Sequence, residues 1–363
     1  MTDRARARVA ALRLRLLEEL LDGLVISSLA NTRYYTGFSG SNAMVVVTQR
    51  DVTLLTDFRY EVQARQECPA WVQLRVESTS LWSGLWDVLG QMPSTKTVGY
   101  ESAHLVHRDF QRCLEQGDRW HWRPTIDYTE DLRTTKDADE IALIKRAGAV
   151  ATNALSLVLP RIKCGMSELE ICGVLEHELR IAGSEAHPFP PIVAAGERSA
   201  LPHASPSGRP SRRGEFLLLD FGATVGGYCS DITRTFVLGA ATLRHREVYD
   251  VVREAHELAA AGLRAGMSGK EGDAIAREAI GARGFGDAFG HSLGHGVGLE
   301  VHEAPRLSRL AEGLLPEGAV VTIEPGVYVP GWGGVRLEDD VRILANGVEF
   351  LTEFPRELIE LGN

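Results

Sequence analysis

Cysteine is scarce in this chain, and what there is follows no framework. Five residues, at positions 68, 113, 164, 172 and 229, make an odd number with no CxxC spacing. That excludes a disulfide scaffold and a cysteine-based structural zinc site, and it predicts reduced thiols in a cytoplasmic protein. No continuous apolar run approaches the ~20 residues of a membrane span, so no membrane partner is expected. A basic surplus is missing as well. Formal net charge is −10, with 15 basic and 16 acidic side chains up to residue 130 against 24 and 33 after it. Nucleic acid is therefore not an expected partner. The acidic excess of the C-terminal part would suit a carboxylate cluster offset by cations. At the N-terminus, Arg4, Arg6, Arg8, Arg13 and Arg15 interrupt the leucines, which argues against a secretory signal and for an amphipathic first helix.

What is present reads as two domains. Over residues 1–130, apolar spacing predicts a helix at 3–21 and a strand at Leu24–Ser28. A Gly/Ser/Asn-rich loop at Asn31–Asn42 is expected next. A hairpin follows at Ala43–Thr48 and Val52–Thr56, then helices near Tyr60–Glu67, Leu81–Gly90 and Ala103–Glu115 alternating with strands at Val72–Val76 and Thr97–Tyr100. This is an α/β domain on a mixed sheet, and its scattered histidines (His104, His107, His121) carry no site. Residues 131–363 open with a capping-box spacing at Asp137 and Glu140 before a helix at about 138–159, and a second box at Ser167 and Glu170 starts another.

The second part contains a duplication. Gly214-Glu-Phe-Leu-Leu-Leu-Asp220-Phe-Gly222 is echoed by Gly318-Ala-Val-Val-Thr-Ile-Glu324-Pro-Gly326, and Lys163-Cys-Gly-Met-Ser167 by Arg264-Ala-Gly-Met-Ser268. Each copy is helix, helix, then strands, which predicts a curved antiparallel sheet backed by helices. Each copy also supplies a second acid, Asp231 and Glu338, on a neighbouring strand pattern. Four converging carboxylates without cations would repel and suffer heavy desolvation, so divalent ions are implied. Between the copies, His291, His295 and His302 fall in a glycine-punctuated segment whose glycines are expected to let backbone approach a ligand. Imidazole with carboxylates suits Mn²⁺, Co²⁺ or Zn²⁺.

Taken in order, Leu201-Pro-His203-Ala, Leu219-Asp220-Phe-Gly, Ser230-Asp231-Ile-Thr-Arg-Thr, the Gly290–Glu303 segment, Ile323-Glu324-Pro-Gly and Arg336-Leu-Glu338-Asp-Asp resemble the motifs of the pita-bread metallopeptidases. The likeness is to their Xaa-Pro branch, prolidase (Xaa-Pro dipeptidase) and aminopeptidase P. Tyr35–Asn42 and Leu55–Tyr60 resemble that branch's creatinase-like domain. The resemblance implies an α+β architecture: a smaller α/β creatinase-like domain, then a pita-bread catalytic domain. It implies two divalent ions, Mn²⁺ foremost, held by Asp220, Asp231, His295, Glu324 and Glu338. It gives His203, His291, His302 and Arg336 to substrate handling and Glu324 a second role as general base. The implied reaction is hydrolysis of the bond between an N-terminal residue and proline, in dipeptides or, alternatively, in longer peptides. A homodimer is the family expectation. Methionine aminopeptidase lacks the first domain, creatine amidinohydrolase lacks the ligands, and a non-enzymatic binding module typically loses them.

Overall fold

The computed structural model describes residues 2–362, which divide after Arg133 into two compact units. The first unit is built on a six-stranded mixed sheet. Its order is Gln73–Glu77, Val52–Asp57, Ala43–Thr48, Gly23–Ile26, Thr97–Glu101 and His121–Thr125. The hairpin pairs antiparallel and the outer strands run parallel to their neighbours. The last strand escapes sequence reading because Pro124 lies in it; at a sheet edge a missing N–H costs no ladder bond.

The expected loop at Asn31–Asn42 is half wrong. Leu29–Thr36 is a helix, started by Ser28 accepting from the Asn31 N–H and closed by Gly37 at φ 76°. Asn31, a weak helix former, is fixed from outside the helix. Its amide donates to Glu101 and Glu130, and its carbonyl accepts from Arg133. Tertiary hydrogen bonds here override local propensity.

In the second unit, the capping boxes at Asp137/Glu140 and Ser167/Glu170 are formed, and Ser268/Glu271 repeats the second in the later copy. Helix Ala138–Val158 is long and apolar enough to cross a membrane by length and composition. Its apolar stripe is instead spent on the core, where Ile144, Ala147, Ala151, Ala154, Leu155 and Val158 have no exposed surface. Burial of each large side chain is worth roughly 1.5–3 kcal/mol.

The strands form two sheets rather than one continuous sheet. Ile192–Ala195, Phe216–Phe221, Ile232–Leu238 and Glu360–Leu361 make the first. Glu303–Leu307, Gly294–Gly296, Val320–Ile323, Asp339–Leu344 and Gly347–Phe350 make the second. Two short ribbons flank them, and an isolated bridge joins Thr233 to Glu338. The strand patterns read from sequence around Asp231 and Glu338 are each interrupted at the acid. Tyr228–Cys229 stops short of Asp231 and Ile232–Leu238 begins after it; Gly333–Arg336 and Asp339–Leu344 flank Glu338 likewise. The duplication thus places one carboxylate at a break in each sheet, where the side chain is released from strict alternation.

Candidate metal centre

All nine residues singled out in the sequence line one cavity of about 410 Å³ in the second unit. Asp220 is the penultimate residue of its strand, opposite Thr233, and Glu324 directly follows Val320–Ile323, whose Ile323 pairs with Asp339. Register therefore brings the acids of each copy to the same end of its sheet. Asp231, His295 and Glu338 each offer a donor atom, and these atoms lie within 4.8 Å of one another. His295 Nε2 is 3.8 Å from Asp231 Oδ2 and 3.4 Å from Glu324 Oε1.

The donor set fits a cation by its leftover lone pairs. Asp220 Oδ1 and Asp231 Oδ1 are buried with no hydrogen-bond partner, a costly condition that a metal ion removes. His295 Nδ1 lies 3.1 Å from the Gly296 carbonyl, which can only accept, so the proton is on Nδ1 and Nε2 is the free donor. A backbone carbonyl on the second nitrogen is the usual support of a metal-bound imidazole. Burial and the neighbouring His302 lower the His295 pKa to about 4, keeping the ring neutral as a ligand must be.

His291 differs, although it belongs to the same motif. Its Nδ1 donates to the Ser292 carbonyl at 2.8 Å, and its Nε2 accepts from the Tyr328 hydroxyl at 2.9 Å. Burial, with Arg336 nearby, holds its pKa at about 4. Arg336 is equally committed: its guanidinium donates to Asp220, to the Tyr328 hydroxyl at 2.7 Å and to Thr233 Oγ1 at 3.1 Å. Every nitrogen of both side chains has a partner within the fold. His203 and His302, by contrast, are exposed on the cavity wall. His302 is lowered by desolvation and by Arg306, so it too is neutral near pH 7.

Two of the motif glycines, Gly294 and Gly296, are set by strand packing. A Cβ on Gly294 would stand 2.1 Å from the Thr322 carbonyl oxygen, and one on Gly296 2.2 Å from that of Ala304. Both permit strand-to-strand contact. Asp339 and Asp340, read from sequence only as acids beside Glu338, are fully buried. Burial alone would raise the Asp339 carboxyl, but Arg234, His256 and Arg356 hold it well below its usual range. Asp340 Oδ2 accepts the Asp231 N–H at 2.9 Å and so braces the Asp231 backbone. Tyr228, Arg234 and Trp332 do not line the cavity. Tyr328, Thr322, Thr233 and Arg306 were missed in the sequence. None carries a local signal: the first three gain their partners across strands, and Arg306 is set apart only by its place in the cavity lining.

Burial raises the carboxyls of Asp231 and Glu338 well above normal, with repulsion next, from Glu338 on Asp231 and from Glu324 on Glu338; burial also takes Glu324 to about 8. Unfolded, these acids titrate near 4. The folded metal-free protein therefore holds protons that the unfolded chain releases. Its stability is greatest at low pH by this contribution and is lost as pH rises toward about 8. Thermal melts in chelator between pH 5 and 8.5 should show a falling Tm, and saturating Mn²⁺ should flatten the fall. A pH-independent Tm in chelator would contradict the arrangement.

Comparison with known proteins agrees with this architecture. Residues 142–345 match metallopeptidase family M24, and residues 8–135 match the creatinase/prolidase N-terminal domain. The chain belongs to metallopeptidase family M24, with a creatinase/prolidase N-terminal domain before the pita-bread unit. An Xaa-Pro dipeptidase of Pyrococcus furiosus is 37% identical over 94% of this chain and 96% of its own length. The solved Xaa-Pro dipeptidase of Bacillus anthracis superposes with a TM-score of 0.95 at 36% identity, covering 98% and 100% of the two chains. The X-Pro aminopeptidase of Thermotoga maritima gives 0.90 at 36% identity, covering 97% and 99%.

Proposed function

We propose that this protein is an Xaa-Pro dipeptidase working with two divalent ions, Mn²⁺ foremost, held by Asp220, Asp231, His295, Glu324 and Glu338. The observation that carries the reading is the pair of unpartnered buried oxygens on Asp220 and Asp231, in one cavity with His295, Glu324 and Glu338. The remaining wall includes Phe189, Pro191, Ile192 and Pro202, a rigid apolar surface suited to a pyrrolidine ring. An Xaa-Pro bond has no N–H for a peptidase to grip, so shape must supply recognition.

Ions bound at these residues supply Lewis acidity and a water acidified toward neutrality. The chain's own groups do the rest. Glu324 takes the proton released as water attacks the Xaa carbonyl and delivers it to the prolyl nitrogen. His302, neutral and facing the cavity, donates to the developing oxyanion. His203 contacts the substrate from the opposite loop. His291 and Arg336 act by holding Tyr328 and Asp220 in place.

Arg306 decides between a dipeptide and a longer chain. It lines the cavity with an exposed side chain and makes no ion pair within the salt-bridge distance among the described residues, whereas Arg336 is already engaged. A free guanidinium there suits a terminal carboxylate, which only a dipeptide presents at proline. In Arg306→Met, kcat/KM for an Xaa-Pro dipeptide should fall about 10–100-fold, the weight of one hydrogen bond to a charged group, with little change for an Xaa-Pro-Xaa tripeptide. If wild-type protein with Mn²⁺ prefers the tripeptide, the aminopeptidase reading, favoured by the likeness to the Thermotoga maritima enzyme, replaces this one. No activity on either peptide overturns both. A protein that neither binds nor needs a divalent ion would be a binding module instead.

A further inference from the structure

Two threonines stand directly behind the two glutamates of the centre. Thr233 Oγ1 donates to Glu338 Oε2 at 2.5 Å while accepting from Arg336 Nε at 3.1 Å. Thr322 Oγ1 donates to Glu324 Oε1 at 3.2 Å while accepting the backbone N–H of His295 at 3.1 Å. Neither threonine has any exposed surface. A hydroxyl has one proton to give. An N–H aimed at its oxygen turns that proton toward the carboxylate, so the direction of each bond is set.

The two hydroxyls serve different ligands. Thr322 ties together His295 and Glu324 and touches none of the other three. Thr233 supports Glu338 and, through Arg336, reaches Asp220. The duplication sharpens the contrast. Thr322 corresponds to Leu218 in the first copy, two residues before Asp220, where no hydroxyl is possible. Thr233 corresponds to Asp340, and the two act in reciprocal ways: Thr233 donates to Glu338, while Asp340 accepts from the Asp231 N–H. The hydroxyl at 322 is therefore peculiar to the second copy, placed where the centre has a histidine.

We infer that Thr322 is a positioning residue for one ion only, the one that His295 and Glu324 would hold together, their Nε2 and Oε1 lying 3.4 Å apart. The inference rests on the metal-centre reading above. Strand Val320–Ile323 holds the threonine rigidly, and the Gly294 backbone lies close enough to reach it only because position 294 has no Cβ. Valine at 322 keeps the shape and the strand preference while leaving the His295 N–H and one Glu324 oxygen unpaired.

The test is calorimetric titration of metal-stripped protein with Mn²⁺, together with the visible spectrum on adding Co²⁺. Wild type should take up two ions. Thr322→Val should bind one ion as wild type does and the other about 10–100-fold more weakly, the usual effect of removing such a support. Thr322→Ser should restore the second affinity, because the hydroxyl is kept. If Thr322→Val does not fold, as judged by its melt in chelator, Thr322→Ala takes its place with the same expectation. Two wild-type affinities in the hydroxyl-free variant overturn the inference and leave the metal centre standing, as does equal weakening of both ions. Wild-type protein that binds no ion overturns the centre and this inference together.

Discussion

Asp231→Asn is expected to lose activity by about 10³-fold or more, since several kcal/mol of transition-state stabilisation depend on an intact pair of ions. The same substitution should leave the metal-free fold as stable as wild type or more so. In the apo protein Asp231 is pushed up first by burial and then by Glu338, Asp220, Asp340 and Glu324, a set of like charges crowded at one point. Asparagine removes one of them and keeps the backbone N–H that Asp340 accepts. At pH 8 in chelator, Tm should rise by about 2–4 °C for each kcal/mol of repulsion relieved in a unit of this size. With Mn²⁺ added the order should reverse, because wild type gains binding free energy that the variant cannot. The informative measurement is the pair of melts beside the assay. Turnover within tenfold of wild type would remove Asp231 from the centre. A lower apo Tm would mean its role is structural.

The second large effect concerns Glu324. Glu324→Gln preserves volume and an oxygen able to accept from Thr322, but cannot carry a proton. kcat should fall about 10²–10⁴-fold, the range for a lost general acid–base group, with KM for dipeptide changed much less. The acid limb of the pH–kcat profile should disappear with it. In the metal-free protein, burial puts this carboxyl at about 8; nearby cations favour its ionised form, so the loaded centre has it ready as a base. A variant whose kcat stays within tenfold, or whose acid limb persists, would assign proton transfer to another group. Metal uptake should be measured alongside, since loss of an ion and loss of a base both reduce kcat and only the first changes the stoichiometry.

Much of this was legible in the chain because it is local or repeated. The helix starts at Asp137 and Ser167 lie where capping chemistry puts them, and each is set by residues three apart. The strand hairpin at Ala43–Asp57 needs only two short apolar β-branched runs and a polar turn. Non-local hydrogen bonding is where reading failed. Asn31 is helical for reasons 70 to 102 residues away, and His121–Thr125 is a strand because Pro124 lies at an edge. Gly294 and Gly296, read as room for a ligand, are room for a neighbouring strand.

The candidate centre divides the same way. By itself the sequence determined the donors: a carboxylate conserved across two copies of one unit, a second acid in each, and histidines between them. Chemistry of this kind belongs to side-chain identity and order along the chain. Only the tertiary structure decided which lone pairs are left over. His291 and His295 are four residues apart in one motif, and nothing local separates their roles. Strand pairing brings Tyr328 to His291 and occupies its Nε2, while the corresponding nitrogen of His295 faces Asp231 and Glu324 with no proton between them. The imidazoles have the same intrinsic basicity and are both buried. What occupies one nitrogen and leaves the other open to a metal ion is a hydroxyl contributed from 37 residues away.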